Sequence, residues 1–272
     1  MEKFNVKAVC AGFFMTCIIF SACAKSGSDL PGKQNKDDPG QVPDSLKQGY
    51  MPVINGTVLT YTVTSGEEAG ASATVTIQNV HDSSGFKCEG VLRNAAGILI
   101  AESARYNKGF TYTISSLPSL YYDALKEIAK GYNVSFTHTE RPIVMALPHK
   151  DPLHAVVFNE LISSEWHGVN NEEGTTTDAR AGQTEHKAVV DSLGKIKLAI
   201  GEFDCIRVHF LRTKQSNVVV TDDEGVHNFN STVSFDLISW MAKGIGPVKE
   251  QEINLNTGET TITELTKIEI PH

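Results

Sequence analysis

Cysteine is scarce in this chain: five occur among 272 residues, and three of them fall within the first 23. Cys10 and Cys17 lie in an apolar stretch at the N-terminus, Cys23 follows it, and only Cys88 and Cys205 belong to the remaining sequence. No C-x-x-C pair accompanies the histidines, so a structural zinc site has no thiolate half to build on. No G-x-S-x-G elbow is present, and no Ser-x-x-Lys sits at a credible helix start, which removes the common serine-nucleophile signatures. Positive charge is also short, with 24 Lys and Arg against 32 Asp and Glu, for a net charge of −8. Nucleic-acid binding rests on neutralising phosphates, and adhesion to anionic lipid rests on basic clusters; this composition suits neither. Long apolar runs are missing too. The longest, Ala8 to Phe20, falls short of the ~20 residues that a bilayer-spanning helix requires.

What is present at the N-terminus is a secretory layout. Lys3 and Lys7 precede the uncharged Ala8–Phe20 run, and small residues follow it. The sequence Phe20-Ser21-Ala22-Cys23 resembles a bacterial lipobox, in which a large apolar residue and two small ones precede a cysteine that is lipidated and becomes the first residue. Phe20 stands where leucine is more usual. The expectation is a signal peptide over 1–22 and a lipid anchor at Cys23. Removing 22 residues leaves 250, with a charge of −9 because the signal carries +1. Stable anchoring requires more than one acyl chain, and the lipobox resemblance implies three on Cys23. No acidic cluster directly follows Cys23, which favours the periplasmic face of an outer membrane. Residues 24–49 hold Gly, Pro, Ser, Lys and Asp with almost nothing to bury, a composition that reads as a disordered tether. As a coil it would reach roughly 25–30 Å.

From Tyr50 onward the pattern is strands and turns, one β-rich domain over 50–272. Val58–Thr64, Ala73–Gln78, Phe86–Val91, Ile98–Ala101 and Phe110–Ile114 are separated by Gly-Ser and Asn-Gly type turns at about ten-residue intervals, the spacing of antiparallel β structure. One helix is predicted across 119–131, with Ser116 to cap it, Pro118 in its first turn, a Tyr121–Leu125–Ile128 stripe and Gly131 to end it. Such a helix would lie across one face or mouth of the sheet. A strand over Val134–His138 follows, and Pro142 to Pro152 reads as a connection between two halves, 50–142 and 148–270. The second half carries alternating segments at 187–191, 195–200, 203–210, 218–220, 232–237, 260–265 and 267–270. Phe86-x-Cys88-x-x-Val91 matches Phe203-x-Cys205-x-x-Val208, as duplicated halves would. Cys88 and Cys205 read as buried thiols behaving as small hydrophobes, with a disulfide between them the alternative in an oxidising compartment.

The candidates for chemistry are weak. His149, Asp151 and His154 form the densest histidine group but sit in a Pro-bounded loop without metal-ligand spacing. His167 and His186 flank an acidic, Thr-rich hairpin, and His209 should face solvent or a partner strand. His138 alternates with Val134 and Phe136, as a core or pocket residue would. Paired carboxylates at Glu67-Glu68, Glu172-Glu173 and Asp222-Asp223 read as hairpin charges. Gly244-Ile245-Gly246 is followed by strand sequence, so it lacks the helix that a phosphate cradle requires. The sequence therefore predicts no enzyme, no cofactor and no metal.

Two stretches carry a family resemblance. Tyr50-Met51-Pro52-Val53-Ile54-Asn55-Gly56-Thr57-Val58-Leu59-Thr60-Tyr61 resembles the opening signature of the TapB-like family of secreted bacterial proteins and lipoproteins. Ser239-Trp240-Met241-Ala242-Lys243-Gly244-Ile245-Gly246-Pro247-Val248-Lys249 is similar to its closing signature, and Gly201-Glu202-Phe203-Asp204-Cys205 to its glycine-aromatic-aspartate strand. Leu59 stands where the family usually has an aromatic residue. The resemblance implies a mainly β fold, an antiparallel, strongly curved sheet or half-barrel like those of lipoprotein carriers, and no activity. Together the readings predict a binding or scaffold module of the cell envelope. The alternative is a carrier or sensor for a lipid or other apolar ligand, held beneath the helix with Tyr112, Val134, Phe136 and Trp240 lining the cavity. The expected partners are a membrane through the anchor and an apolar ligand or envelope protein, with no nucleic acid.

Overall fold

The computed structural model describes residues 49–50, 52, 54–82, 85–94, 99–106, 111–115, 134–141, 143–148, 150–172 and 174–271; within these, the side chains of 78–94, 99–106, 111–115, 134, 136, 140 and 172 are not described. The signal sequence, Cys23, the tether and the 119–131 helix expectation lie outside the described residues. Among the described residues there is no helix, and fifteen strands form one antiparallel sheet: β1 Val58–Ser65, β2 Ser72–Asp82, β3 Gly85–Asn94, β4 Leu99–Tyr106, β5 Thr111–Ser115, β6 Val134–Glu140, β7 Ile143–Ala146, β8 Val156–Phe158, β9 Leu161–Glu172, β10 Thr175–Glu185, β11 Ala188–Leu198, β12 Gly201–Asp222, β13 Gly225–Ala242, β14 Gly246–Asn254 and β15 Thr260–Glu269. The sheet is open. Its order runs β6-β9-β10-β12-β13-β14-β15-β1-β2-β3-β4-β5-β7, with β11 beside β12 and β8 beside β11.

Most neighbours in this order are hairpins, the arrangement that short Gly-containing turns dictate. The turns use left-handed glycines where an L side chain would be strained, as at Gly225 (φ 131°) between β12 and β13. The Gly244-Ile245-Gly246 corner works the same way, with φ of 75° and 100° at its two glycines. Among the described pairings, the one that spans the most sequence joins β1 to β15, with Val58 opposite Glu269 and Thr62 opposite Glu264. The segment read as a connection between halves contains β7, which pairs with β5 and buries Ile143 and Met145 while exposing Val144. Flanking prolines masked a strand of only four residues.

Several short segments of the sequence reading merge into long strands. The alternating pieces at 203–210 and 218–220 belong to the single 22-residue β12. The pieces at 187–191 and 195–200 fall largely within β11. β10 and β11 run end to end along β12, β10 opposite residues 212–221 and β11 opposite 201–209, interrupted only by His186 and Lys187. Register shifts between Val190 and Ser192, and between Gln183 and Thr184 opposite β9, mark bulges on either side of this joint.

The first half of β12 is the centre of the molecule. Successive strand residues point to opposite faces, and both Cys205 and Ile206 are buried, as are their partners Ala242 and Met241. Ile206, Val208, Phe210 and Met241 pack with Tyr50, Ile143, Met145, Val157, Phe158 and Val190 in one core. Phe203, Cys205 and Ala242 pack with Leu59, Val75, Ile77, Leu198, Ile245, Val248 and Leu265 in the other. A sheet that packs on both faces of one of its own strands must fold back on itself in two directions.

Candidate functional site

Past Phe210 the apolar face of β12 turns polar, and the buried carboxylate Glu185 sits at the transition. Glu185, the last residue of β10, is opposite Arg212 and is fully shielded from solvent. An unpaired charge there would be costly. Four hydrogen bonds offset that cost. Arg212 Nε donates to Oε1 at 2.9 Å and Oε2 at 3.1 Å, Gln183 Nε2 donates to Oε1 at 2.7 Å, and Ser163 Oγ donates at 3.3 Å. Arg212 Nη1 also lies 3.8 Å from Glu252 on β14. The cluster ties β9, β10, β12 and β14 where β10 gives way to β11.

The other face of the same strands holds a charged row. Arg207 and His209 are two residues apart on β12 and therefore share a face. Arg207 grips Asp191 of β11 through Nε at 2.7 Å and Nη2 at 2.8 Å. His209 stands between two carboxylates: Nδ1 is 3.5 Å from Asp191 Oδ2, and Nε2 contacts Asp236 Oδ1 of β13. The hydrogen bonds from Arg207 hold the Asp191 carboxyl below the usual carboxylate range, although partial burial pushes the other way. Asp191 in turn raises the Arg207 guanidinium. The expectation that His209 meets a partner strand is met by two of them.

Near the free end of the sheet, the His138 and Trp166 rings are tilted at 47° with centroids 4.1 Å apart. Trp166 Nε1 donates to Ser164 Oγ at 2.6 Å, and that oxygen lies 3.4 Å from His138 Nε2. The indole N–H thus occupies one of the two acceptor sites of the Ser164 hydroxyl. His167 meets Asp178 at 3.1 Å, and His186 bridges Glu160 at 2.9 Å and Thr213 at 3.0 Å. Asp151 and His154 are exposed, both with left-handed backbone (φ 46° and 67°), and their companion His149 is outside the described residues. Among the described residues no group of three His, Cys, Asp or Glu side chains could hold a metal ion.

Cys205 is a free, buried thiol. Burial, with Asp204 nearby, pushes it up to about 12, which suppresses the nucleophilic thiolate. The side chain of Cys88 is not described. Of the four residues read as cavity lining, only Trp240 has a described side chain. It is half-buried, packs against the core around Leu59 and Val248, and carries Lys249 Nζ 5.7 Å above its ring. Tyr112 is opposite Met145, and Val134 is opposite Asn170. Phe136 heads a cross-strand row of Gly168, Ala179, Val218 and Phe229. Trp240 is eleven positions along β13 from Phe229, about 36 Å at the usual strand rise. Sequence reasoning missed Glu185, Arg212, Asp191 and Asp236. Each is an ordinary charge within a strand pattern, and only the cross-strand register reveals its partner.

No family model and no curated protein matches the sequence. Two solved structures are similar to this chain over most of its length. One is a candidate lipoprotein from Parabacteroides distasonis, 14% identical, covering 81% of this chain and 98% of its own, with a TM-score of 0.49. The other is a candidate exported protein with a YmcC-like fold from Bacteroides fragilis, 13% identical, covering 80% and 98%, with a TM-score of 0.46.

Proposed function

We propose that this chain is a non-enzymatic lipoprotein of the cell envelope, anchored through Cys23 and presenting its β domain as a binding or scaffold module on the 24–49 tether. The observation that carries the reading is Phe20-Ser21-Ala22-Cys23 at the end of a basic-then-apolar leader. The polar side chains of the sheet support it, because Glu185, Asp191 and His209 are engaged in cross-strand bonds that hold the fold. Membership of the TapB-like family, half-barrel curvature, and the periplasmic face of an outer membrane are the finer parts of the proposal. The test is fractionation of cells making the full chain or Cys23→Ser. The parent should partition with membranes and gain the mass of its acyl chains, whereas the variant should move to the soluble fraction. An unmodified parent in the soluble fraction would reject the anchor.

A second reading, a carrier or sensor of an apolar ligand, is favoured by the row that Phe136 heads. Gly168 and Ala179 place small residues beside Phe136 in that row, with Ala181 two residues on opposite Trp166. Native mass spectrometry of the mature chain in mild detergent separates the readings. An added mass released into organic solvent promotes the carrier; the bare lipoprotein mass leaves the scaffold.

A further inference from the structure

The first half of β13 is a sheet edge without the usual protection. β13 pairs with β12 along its whole length, from Gly225 opposite Asp222 to Ala242 opposite Cys205, with no bulge. On its other side β14 begins only at Phe235, opposite Asn254. The β14–β15 turn adds bonds to Ser234 through the Leu255 amide and Asn256 Oδ1, and Asn256 Nδ2 reaches Thr232 O at 3.3 Å. Beyond that, Gly225–Ser231 has no ladder partner on this edge among the described residues. All seven residues from Val226 to Thr232 are exposed, which on a two-faced strand means both faces are bare. Val226 is 62% and Phe229 59% exposed.

Native edges of this kind are normally blunted by lysine, proline, an inward charge or a bulge, because unpaired N–H and C=O groups template another strand. Val226-His227-Asn228-Phe229-Asn230-Ser231-Thr232-Val233-Ser234 has no Lys, Arg, Asp, Glu or Pro. We propose that this edge pairs antiparallel with the same edge of a second copy of the chain, about a two-fold axis near Phe229. In that register Val226 meets Thr232 of the second copy, His227 meets Ser231, Asn228 meets Asn230, and the two Phe229 rings oppose each other. Aromatic and β-branched cross-strand pairs stabilise such ladders.

A charged peptide finds no opposite charge along the segment, whereas the segment complements itself. The electrostatics of the turn agree. Asp222, Asp223 and Glu224 form an acidic tip at the end of the hairpin. Antiparallel pairing about Phe229 places the two Glu224 positions ten residues apart, about 33 Å, well beyond the ~8 Å screening length. Parallel pairing would bring the tips together. A seven-residue ladder is a small interface, so association is weak in dilute solution and strengthened by confinement to one membrane surface.

The test is cysteine scanning of the full chain in its membrane. Single cysteines replace Glu224, His227, Asn228, Phe229, Asn230 or Ser231, followed by mild oxidation and non-reducing electrophoresis against the parent. A disulfide-linked homodimer should peak at 229 and its neighbours and be absent at 224. Adding Phe229→Lys to a chain carrying both His227→Cys and Ser231→Cys, whose cysteines face those of the second copy in this register, should reduce the adduct about fivefold by placing like charges opposite each other. The substituted side chains are exposed, so unaltered melting temperatures will confirm that the variants fold. No homodimer, a yield independent of position, or an adduct to a different protein would overturn the assignment.

Discussion

A carboxylate with no solvent contact makes Glu185 the most consequential single residue. Its partner Arg212 is 21% exposed, so the two ends of the pair are unequal: the arginine retains water and the glutamate has none. Removing the arginine strands a buried negative charge, which typically costs about 3–5 kcal/mol. Arg212→Ala should therefore lower the melting temperature by about 6–20 °C for a domain of this size. An unchanged Tm would show that Gln183 and Ser163 suffice. Asp191 supplies a pH dependence of known sign. Its carboxyl is held below the usual range by the Arg207 hydrogen bonds, so it binds protons less readily folded than unfolded. Its stabilisation is complete above the unfolded value of about 4 and is lost as pH falls through the folded value. Thermal melts between pH 7 and pH 2 should show Asp191→Asn less stable than the parent near neutrality, with the difference narrowing in acid. A constant gap would exclude the ion pair as its source. Neither residue announces itself in sequence. Glu185 follows Gln183-Thr184 in a polar run, and only the opposition of β10 to β12 makes it an interior group.

For elements, alternation was the legible signal, and it was reliable where one face is buried and the other wet. β2 carries that alternation; β1 reads as a strand from its β-branched and aromatic residues, and the start of β12 nearly alternates in sequence although both its faces are buried. β11 reads as two pieces because its centre, Leu193 to Lys195, exposes both faces and loses the period. β12 was split because Leu211 to Asn217 is polar or exposed where the strand leaves the core. β7 was hidden between prolines, and its existence depends on Ile143 and Met145 reaching a core assembled from strands distant in sequence. Trp240 illustrates the limit of reading size as burial. A Trp→Ala change at a fully buried site costs about 3–5 kcal/mol. At this half-buried position, flanked by Lys249, about 2–3 kcal/mol is expected in urea melts. A loss below 1 kcal/mol would remove it from the anchors of the fold.

At the scale of the molecule, composition and turn spacing made the mainly β, antiparallel class legible, while the strand order was not. No local pattern reveals that β6 and β7, three residues apart in sequence, occupy opposite ends of the sheet order, or that the strand after Gly56 completes itself with the strand ending at Glu269. That last pairing has a consequence in time. β1 is synthesised first, yet its β15 neighbour is more than 190 residues away along the chain. Contacts so distant in sequence slow folding, because loop closure must precede any reward. A ribosome or an export channel delivering this chain from its N-terminus therefore handles a β1 with one edge vacant until the fifteenth strand arrives. For the exported lipoprotein proposed above, that delay keeps the polypeptide threadable during transit, and folding can be completed only after β15 has crossed.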